Sequence, residues 1–141
     1  MDHKQAAEKR ARTLLQNNTL CVLATATLRG KPEAATVLYA EGRDMNVYIQ
    51  TSFEHRKYAH LKANPQASVV VTEAPYTLQM DGSMQELSGP AAERAKTLLI
   101  AKRGPSRFDA SPRAYFRFTP NWIRVLLDPK AWPPLYVVIK G

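Results

Sequence analysis

Short runs of β-branched and aromatic residues, separated by turn-forming residues, recur along this sequence and constrain its fold more than any other feature. Branched side chains favour strands because they pack well on a pleated surface. The run richest in such residues, residues 67–72 (Ala-Ser-Val-Val-Val-Thr), predicts a central strand. Strands are predicted at residues 20–27, 33–40, 45–50, 67–72, 113–118, 122–127 and 135–139.

Turn-forming residues between these runs set the expected order of the strands. Tight turns at residues 29–32 and 41–44 join the first three runs, which predicts an antiparallel meander. Asp81-Gly82 lies within a loosely alternating segment and predicts a bulge or a bend. Thr119-Pro120-Asn121 is expected to separate two C-terminal strands. Helices are predicted at residues 3–17, 55–63 and 91–102.

The expected architecture is a mainly β, α+β fold in which six or seven antiparallel strands curl into a barrel, with two or three helices. The length of 141 residues fits a single domain. Within it we expect an N-terminal helix in residues 1–18 and a C-terminal extension in residues 128–141. No internal repeat or low-complexity linker interrupts the sequence.

Charge and cysteine content narrow the expected partners and compartment. The net charge of +8 suits an anionic ligand, but no long basic block or RNA-binding aromatic motif predicts nucleic-acid binding. The single cysteine, Cys21, cannot form an internal disulfide and is expected to be a small buried apolar residue. No apolar run approaches ~18 residues and the N-terminus is polar, so we expect a cytoplasmic protein without a membrane span.

The stretch from Thr51 to Lys57 carries the clearest functional signal in the residues themselves. It places two hydroxyls, Thr51 and Ser52, at the end of a predicted strand, and a basic pair, Arg56 and Lys57, at the start of a predicted helix. Free N–H groups and the helix dipole favour a phosphate at such a position, and the two cations add charge-assisted hydrogen bonds. The stretch predicts a phosphate-binding pocket; the alternative is a solvated basic helix end.

The other candidate residues have structural interpretations. No nucleophile triad, carboxylate pair or metal-ligand spacing occurs, so no catalytic residue is assigned and any chemistry would belong to a cofactor. His60, one helical turn after His55, is expected to be exposed. Trp122 and Trp132 are expected to anchor the core or an interface.

Several motifs follow one another in the order and spacing of a known family. They are Val22-Leu-Ala-Thr25 with Gly30-Lys-Pro32, Thr51-Ser52 followed by Arg56-Lys57, Asn64-Pro65 with Ser68-Val-Val-Val71, and Gly82 with Phe118-Thr-Pro120 and Trp122-Ile-Arg124. In this combination the chain resembles the pyridoxamine-phosphate-oxidase-like, FMN-binding split-barrel family. The similarity covers most of the chain and is strongest over residues 46–71.

The resemblance implies an antiparallel split β-barrel that forms a homodimer, with FMN in the clefts between the subunits. Thr51, Ser52, Arg56 and Lys57 would hold the phosphate, and His55 occupies the place of the family's serine. The second strand would line the isoalloxazine ring, and the partner subunit would supply a glutamine to the flavin. The corresponding residues here are Thr36, Val37 and Leu38 for the strand and Gln79 for the glutamine.

The activity that the resemblance implies is hydride or electron transfer through the flavin, with a small-molecule substrate or an electron donor such as NAD(P)H. Ala35 and Ala40 stand where the oxidase itself carries an Arg and a Lys, so oxidation of pyridoxamine phosphate is not expected. Three alternatives use the same fold: a haem-binding or haem-degrading protein, a deazaflavin-dependent protein, and a non-enzymatic flavin carrier or sensor. A nucleic-acid binder, suggested by the net charge alone, is an outside alternative.

Overall fold

The computed structural model describes all 141 residues as a mainly β, α+β fold with eight strands and three α-helices. The strands are β1 Leu20–Ala26, β2 Pro32–Leu38, β3 Ala40–Glu41, β4 Val47–Thr51, β5 Gln66–Glu73, β6 Tyr76–Leu87, β7 Ala114–Asp128 and β8 Leu135–Lys140. The helices are α1 His3–Asn17, α2 Arg56–Ala63 and α3 Gly89–Arg103. Short 3₁₀ turns lie at Arg43–Met45 and Arg107–Ala110. The mainly β prediction and the three predicted helices are confirmed. The predicted strand at residues 33–40 divides into β2 and β3, and the two predicted at residues 113–118 and 122–127 form the single strand β7.

All strands belong to one curled antiparallel sheet with the order β2-β1-β5-β6-β7-β4-β3, and β8 pairs with β7. The interior position of β5, between β1 and β6, confirms that residues 67–72 form a central strand. The predicted meander of the first three strands is wrong, because β4 pairs with β7 and not with β2. The chain leaves β2 at Tyr39, whose buried hydroxyl donates to the Leu15 carbonyl (2.6 Å) and so ties this corner to α1.

Strand β7 is continuous where the sequence predicted an interruption at residues 119–121. Pro120 pairs with Gly82 at a register shift between Asp81 and Gly82, which confirms the predicted bulge. A Cβ atom on Gly82 would lie 2.2 Å from the Thr119 carbonyl oxygen. The strand therefore continues through a proline because the bulge removes the need for its missing N–H and because Gly82 leaves room for its backbone.

The concave side of the sheet and α1 enclose the main core. Helix α1 contributes its buried face, and strands β4 to β7 contribute alternate residues. The largest fully buried side chains include Tyr39, Phe116, Phe118, Leu14 and Leu15. Helix α3 packs through Ala95 and Leu99 against a smaller separate cluster. Trp132 is 92% exposed and thus lies outside the core, and no helix has the length and apolar character needed to cross a bilayer.

Candidate functional site

The connection between β4 and α2 contains the predicted phosphate-binding stretch. Strand β4 ends at Thr51, and α2 begins at Arg56 with His55 as the N-cap residue. The His55 side chain makes no capping hydrogen bond, so no side chain of the cap accepts from the first-turn N–H groups. A helix start of this kind presents N–H donors and a positive dipole end to an anion.

Packing of α2 fixes the orientation of this connection. Leu61 is buried in the main core, and the Tyr58 hydroxyl donates to Glu86 on β6 (3.2 Å). Lys62 pairs with the same carboxylate at 2.9 Å. Burial and the Glu86 hydrogen bond raise the pKa of Tyr58. These contacts hold the helix against the sheet and so fix the position of the basic pair at its start.

The Thr51 hydroxyl is a buried polar group of this region that has no hydrogen-bond partner in the protein, and His60 Nδ1 on α2 is another. Thr51 is 4% exposed, and its Oγ1 atom makes no hydrogen bond. Buried hydroxyls are almost always hydrogen-bonded, because an unpaired one forfeits its hydration. Ser52 follows directly, and its Oγ accepts from the Glu54 N–H at 3.3 Å. An orphan donor at a strand end, beside an uncapped helix start, fits a phosphate oxygen.

A polar cavity of about 380 Å³ lies at the start of α2 and is lined only by charged residues and a histidine. The lining residues are Glu33, Glu54, His55, Arg56 and Lys57. The Arg56 side chain is 76% exposed, and its guanidinium lies 3.7 Å from Glu33. An exposed ion pair at this distance contributes little energy, so an anion can displace it.

Glu33 is a residue of this site that the sequence did not reveal. It lies on β2 and reaches across to α2, where one carboxylate oxygen is 3.2 Å from Nδ1 of His60. The His60 side chain is only 20% exposed, so the expectation that His60 is solvent-exposed is wrong. The cause is the approach of the Glu33 side chain, from the edge strand β2, to His60 on α2, which no local sequence pattern signals.

The second-strand residues occupy alternate faces of β2. Thr36 and Leu38 are exposed on the outer face of the sheet, while Val37 packs against the main core. Leu38 also lines a second cavity that the start of α2 does not share. Within one chain, therefore, residues 36–38 and the predicted phosphate-binding stretch do not line one common pocket.

Gln79 lies on the outer face of the sheet and away from α2. The strand register places Thr36, Val22, Val70, Gln79 and Arg124 in one row across β2, β1, β5, β6 and β7. The Gln79 side-chain oxygen accepts from Arg124 at 3.0 Å, which leaves the amide NH₂ to donate elsewhere. Gln79 and Thr36 share a face because residues in one row of an antiparallel sheet point the same way.

A second group of residues missed by the sequence lies behind the end of β4. Gln50 precedes Thr51 and points to the opposite face of the strand, where its Oε1 atom is buried without a partner. It lines a cavity of about 500 Å³ together with Leu38 and Arg113, whose Nε atom is also buried and unpaired. The sequence signal that could have placed Gln50 on this face is the period-two alternation of a strand that ends at Thr51.

Cys21 has no role in this chemistry. It is 3% exposed on β1, and burial raises the pKa of its thiol from 9.0 to about 12, against the opposing charges of Lys102 and Lys57. A neutral, enclosed thiol is not a nucleophile. The prediction of a small buried apolar residue is confirmed.

Comparisons with known proteins agree with this architecture. The sequence matches the family model described as pyridoxamine 5'-phosphate oxidase over residues 7–127. No curated protein matches the sequence. Three similar structures have related folds and different ligands in their descriptions.

The first is a haem-binding protein from Mycobacterium smegmatis, with a TM-score of 0.79 and 20% identity over 96% of this chain and 58% of that one. An F420 reductase has a TM-score of 0.66 and 20% identity over 79% and 94%. An FAD-binding protein from Mesorhizobium loti has a TM-score of 0.64 and 23% identity over 82% and 90%.

At these identities the three structures establish the fold, and this chain spans little more than half the length of the mycobacterial protein. The family match covers most of the chain and includes β1, β4, α2 and β5, the elements that form and surround the candidate site. The chain therefore belongs to the pyridoxamine 5'-phosphate oxidase family.

Proposed function

We propose that this protein binds FMN as a homodimer and transfers hydride or electrons through the bound flavin, with a small molecule or NAD(P)H as its redox partner. The observation that carries the proposal is the buried, unpaired Thr51 hydroxyl beside the uncapped start of α2. Family membership supports a flavin-type ligand in this position. The proposal treats residues 1–141 as one domain and locates it in the cytoplasm.

In this proposal the protein supplies binding and orientation, while the flavin supplies the redox chemistry. Thr51 and Ser52 donate to phosphate oxygens, the α2 N–H groups add donors, and Arg56 and Lys57 neutralise the charge. His55 stands at the N-cap and donates from its ring. Phosphate binding displaces Glu33 from Arg56, since Glu33 and Glu54 lie in one cavity with the basic pair.

The outer face of the sheet supports the homodimer. Large apolar side chains remain exposed there on β1, β2 and β8, and exposed apolar side chains that cluster on one face mark interaction surfaces. They are Leu20, Val22, Leu38, Tyr136 and Val138. Gln79 and Thr36 lie on this same face, so a second copy packed against it brings a glutamine amide toward the first chain's β2. The proposal therefore assigns Thr36, Val37 and Leu38 to the flavin wall and Gln79 to the partner's contribution.

Haem binding is the second candidate, and His60 is the observation that favours it. Its Nδ1 atom lies 3.2 Å from the Glu33 carboxylate without forming a hydrogen bond in the unliganded chain, and a carboxylate beside one ring nitrogen is common where the other ring nitrogen ligates a metal. One of the similar structures is described as a haem-binding protein. Binding of a deazaflavin would use the same phosphate-binding residues as FMN.

Absorbance spectra after gel filtration separate these candidates. The purified protein is incubated in turn with FMN, a deazaflavin cofactor and haemin, and each sample is then freed of unbound ligand. We expect flavin bands near one equivalent per chain with FMN. A Soret band that is lost in His60→Ala, without retained flavin, would instead establish the haem candidate. NADH or NADPH oxidation by the FMN-loaded protein then distinguishes an enzyme from a carrier.

A further inference from the structure

The cavity of about 500 Å³ behind β4 is distinct from the phosphate-binding stretch and has its own chemistry. It lies where the C-terminal end of α3 and the loop after it meet the ends of β2 and β4 and the start of β7. Its volume falls in the range of small-molecule binding sites. Three basic residues line it, Lys102, Arg103 and Arg113, and no acidic residue does.

Two of these cations are already neutralised by the fold. Lys102 pairs with Glu41 and donates to the Leu15 carbonyl at 2.6 Å. Arg103 binds Asp109 at 2.6 Å, and its side chain is only 8% exposed. The same pair lowers the pKa of Asp109. Both basic residues therefore hold the end of α3 in place and carry no spare charge for a ligand.

Arg113 differs because it has no acidic partner. No carboxylate lies within ion-pair distance of its guanidinium, and its Nε atom is buried without a hydrogen bond. Its guanidinium lies over the Phe108 ring, 4.8 Å from the ring centroid. A half-buried guanidinium with unpaired donors is a strong site for a carboxylate, which it binds through paired N–H groups.

Gln50 adds a hydrogen-bond acceptor to the same cavity. Its Oε1 atom is buried and unpaired, so a ligand hydroxyl or amino group would satisfy it. Two apolar side chains, Leu38 and Phe108, also line the cavity and are 43% and 46% exposed. The cavity thus combines one free positive charge, one free acceptor and an apolar wall.

We propose that this cavity binds a small monocarboxylic acid that also carries a hydroxyl or amino group. Arg113 binds the carboxylate, Gln50 accepts from the second polar group, and Leu38 and Phe108 pack against the body of the ligand. One uncompensated positive charge matches a monoanion better than a doubly charged phosphate. Binding of this acid does not depend on FMN. The identification of the cavity as a substrate site does rest on the proposed function, because Leu38 both lines the cavity and is assigned to the flavin wall.

Isothermal titration of the full-length protein with 2-, 3- and 4-hydroxybenzoate tests the proposal, since these probes vary the separation between carboxylate and hydroxyl. At least one isomer is expected to bind, and its neutral amide and unsubstituted benzoate are each expected to bind about tenfold more weakly. Inorganic phosphate at equal concentration should not displace the bound isomer. Equal binding of the amide, or displacement by phosphate, would overturn the assigned ligand class.

Variants locate the site. Arg113→Gln should weaken hydroxybenzoate binding about tenfold, and Gln50→Leu should remove the advantage over benzoate. Arg107→Gln is the matched control, because Arg107 also stacks on Phe108 (5.3 Å) but does not line the cavity. Arg113→Lys keeps the charge, so residual binding in this variant shows that the loss in Arg113→Gln does not come from misfolding. Unchanged binding in Arg113→Gln, or an equal loss in Arg107→Gln, would contradict the proposal.

The same variants distinguish this proposal from the FMN proposal. Replacement of Arg56 and Lys57 by alanine should leave hydroxybenzoate binding unchanged in the flavin-free protein. Failure of FMN to bind would therefore leave the carboxylate site standing, whereas failure of every hydroxybenzoate isomer to bind would overturn the carboxylate site alone.

Discussion

In the proposed FMN site, the Thr51 hydroxyl connects folding energy with ligand binding. It is enclosed at the end of β4 and makes no hydrogen bond within the chain, so the folded protein keeps a polar group for which folding provides no partner. Such a group costs stability until a ligand supplies the missing acceptor. Replacement of Thr51 should therefore affect the free energy of unfolding and the affinity for FMN differently.

Thr51→Val removes the hydroxyl and nearly preserves the shape of the side chain. We expect the free energy of unfolding to stay within about 1 kcal/mol of the wild-type value or to rise, while FMN affinity falls about tenfold. Chemical unfolding and flavin-fluorescence titration measure the two quantities. Thr51→Ser, which keeps the hydroxyl, should bind FMN normally; a strongly destabilised Thr51→Val with normal FMN affinity would contradict this role.

The raised pKa of Cys21 predicts that the free energy of unfolding falls at alkaline pH. Burial raises its pKa from 9.0 to about 12, so the folded state keeps its proton where the unfolded thiol ionises. Its contribution to stability is complete below pH 9 and is lost as the pH rises toward 12. The unfolding free-energy difference between wild type and Cys21→Ala should shrink by about 1.4 kcal/mol per pH unit in that window. Urea unfolding at about pH 8 and about pH 10.5 measures it, and a constant difference would contradict the burial argument.

At the level of elements, local sequence patterns predicted the segments well and their pairing poorly. Helix α1 and the central strand β5 were evident, because helix formers and β-branched residues act within a single segment. The pairing of β4 with β7 was not, since it joins residues from distant parts of the chain. For the same reason the sequence identified the Thr51 stretch but missed Glu33 and Arg113, whose positions depend on tertiary packing.

The bulge between β6 and β7 gives an element-scale prediction. Gly82→Ala would place a Cβ atom 2.2 Å from the Thr119 carbonyl oxygen, and the rigid backbone there cannot yield easily. We expect a loss of about 2–4 kcal/mol in unfolding free energy, measured by thermal or urea unfolding. Gly30→Ala is the control: it meets no atom within 4 Å and carries only the strain of a positive φ, so its loss should be about 1 kcal/mol. Equal losses in both variants would contradict the role of the close approach.

For the whole molecule, the apolar outer face of the sheet predicts self-association. Val22 lies in the row that joins Thr36 to Gln79 and is 41% exposed. Val22→Lys places a charge on that face, where a dimer would desolvate it, and should yield monomers without loss of fold. Light scattering after gel filtration measures the mass. Leu28→Lys, at a 77% exposed turn position, should leave a dimer intact; a wild-type monomer would contradict the proposed assembly.

The most direct test of phosphate binding at the start of α2 is the dissociation constant of FMN for the Arg56→Ala/Lys57→Ala variant. Charge-assisted contacts to a phosphate contribute about 1.5–3 kcal/mol each, so the affinity should fall at least a hundredfold. Lys4→Ala/Lys9→Ala removes the same charge from the exposed face of α1 and should bind FMN as the wild type does. An unchanged dissociation constant in the α2 variant, or an equal loss in the α1 variant, would contradict phosphate binding at the start of α2.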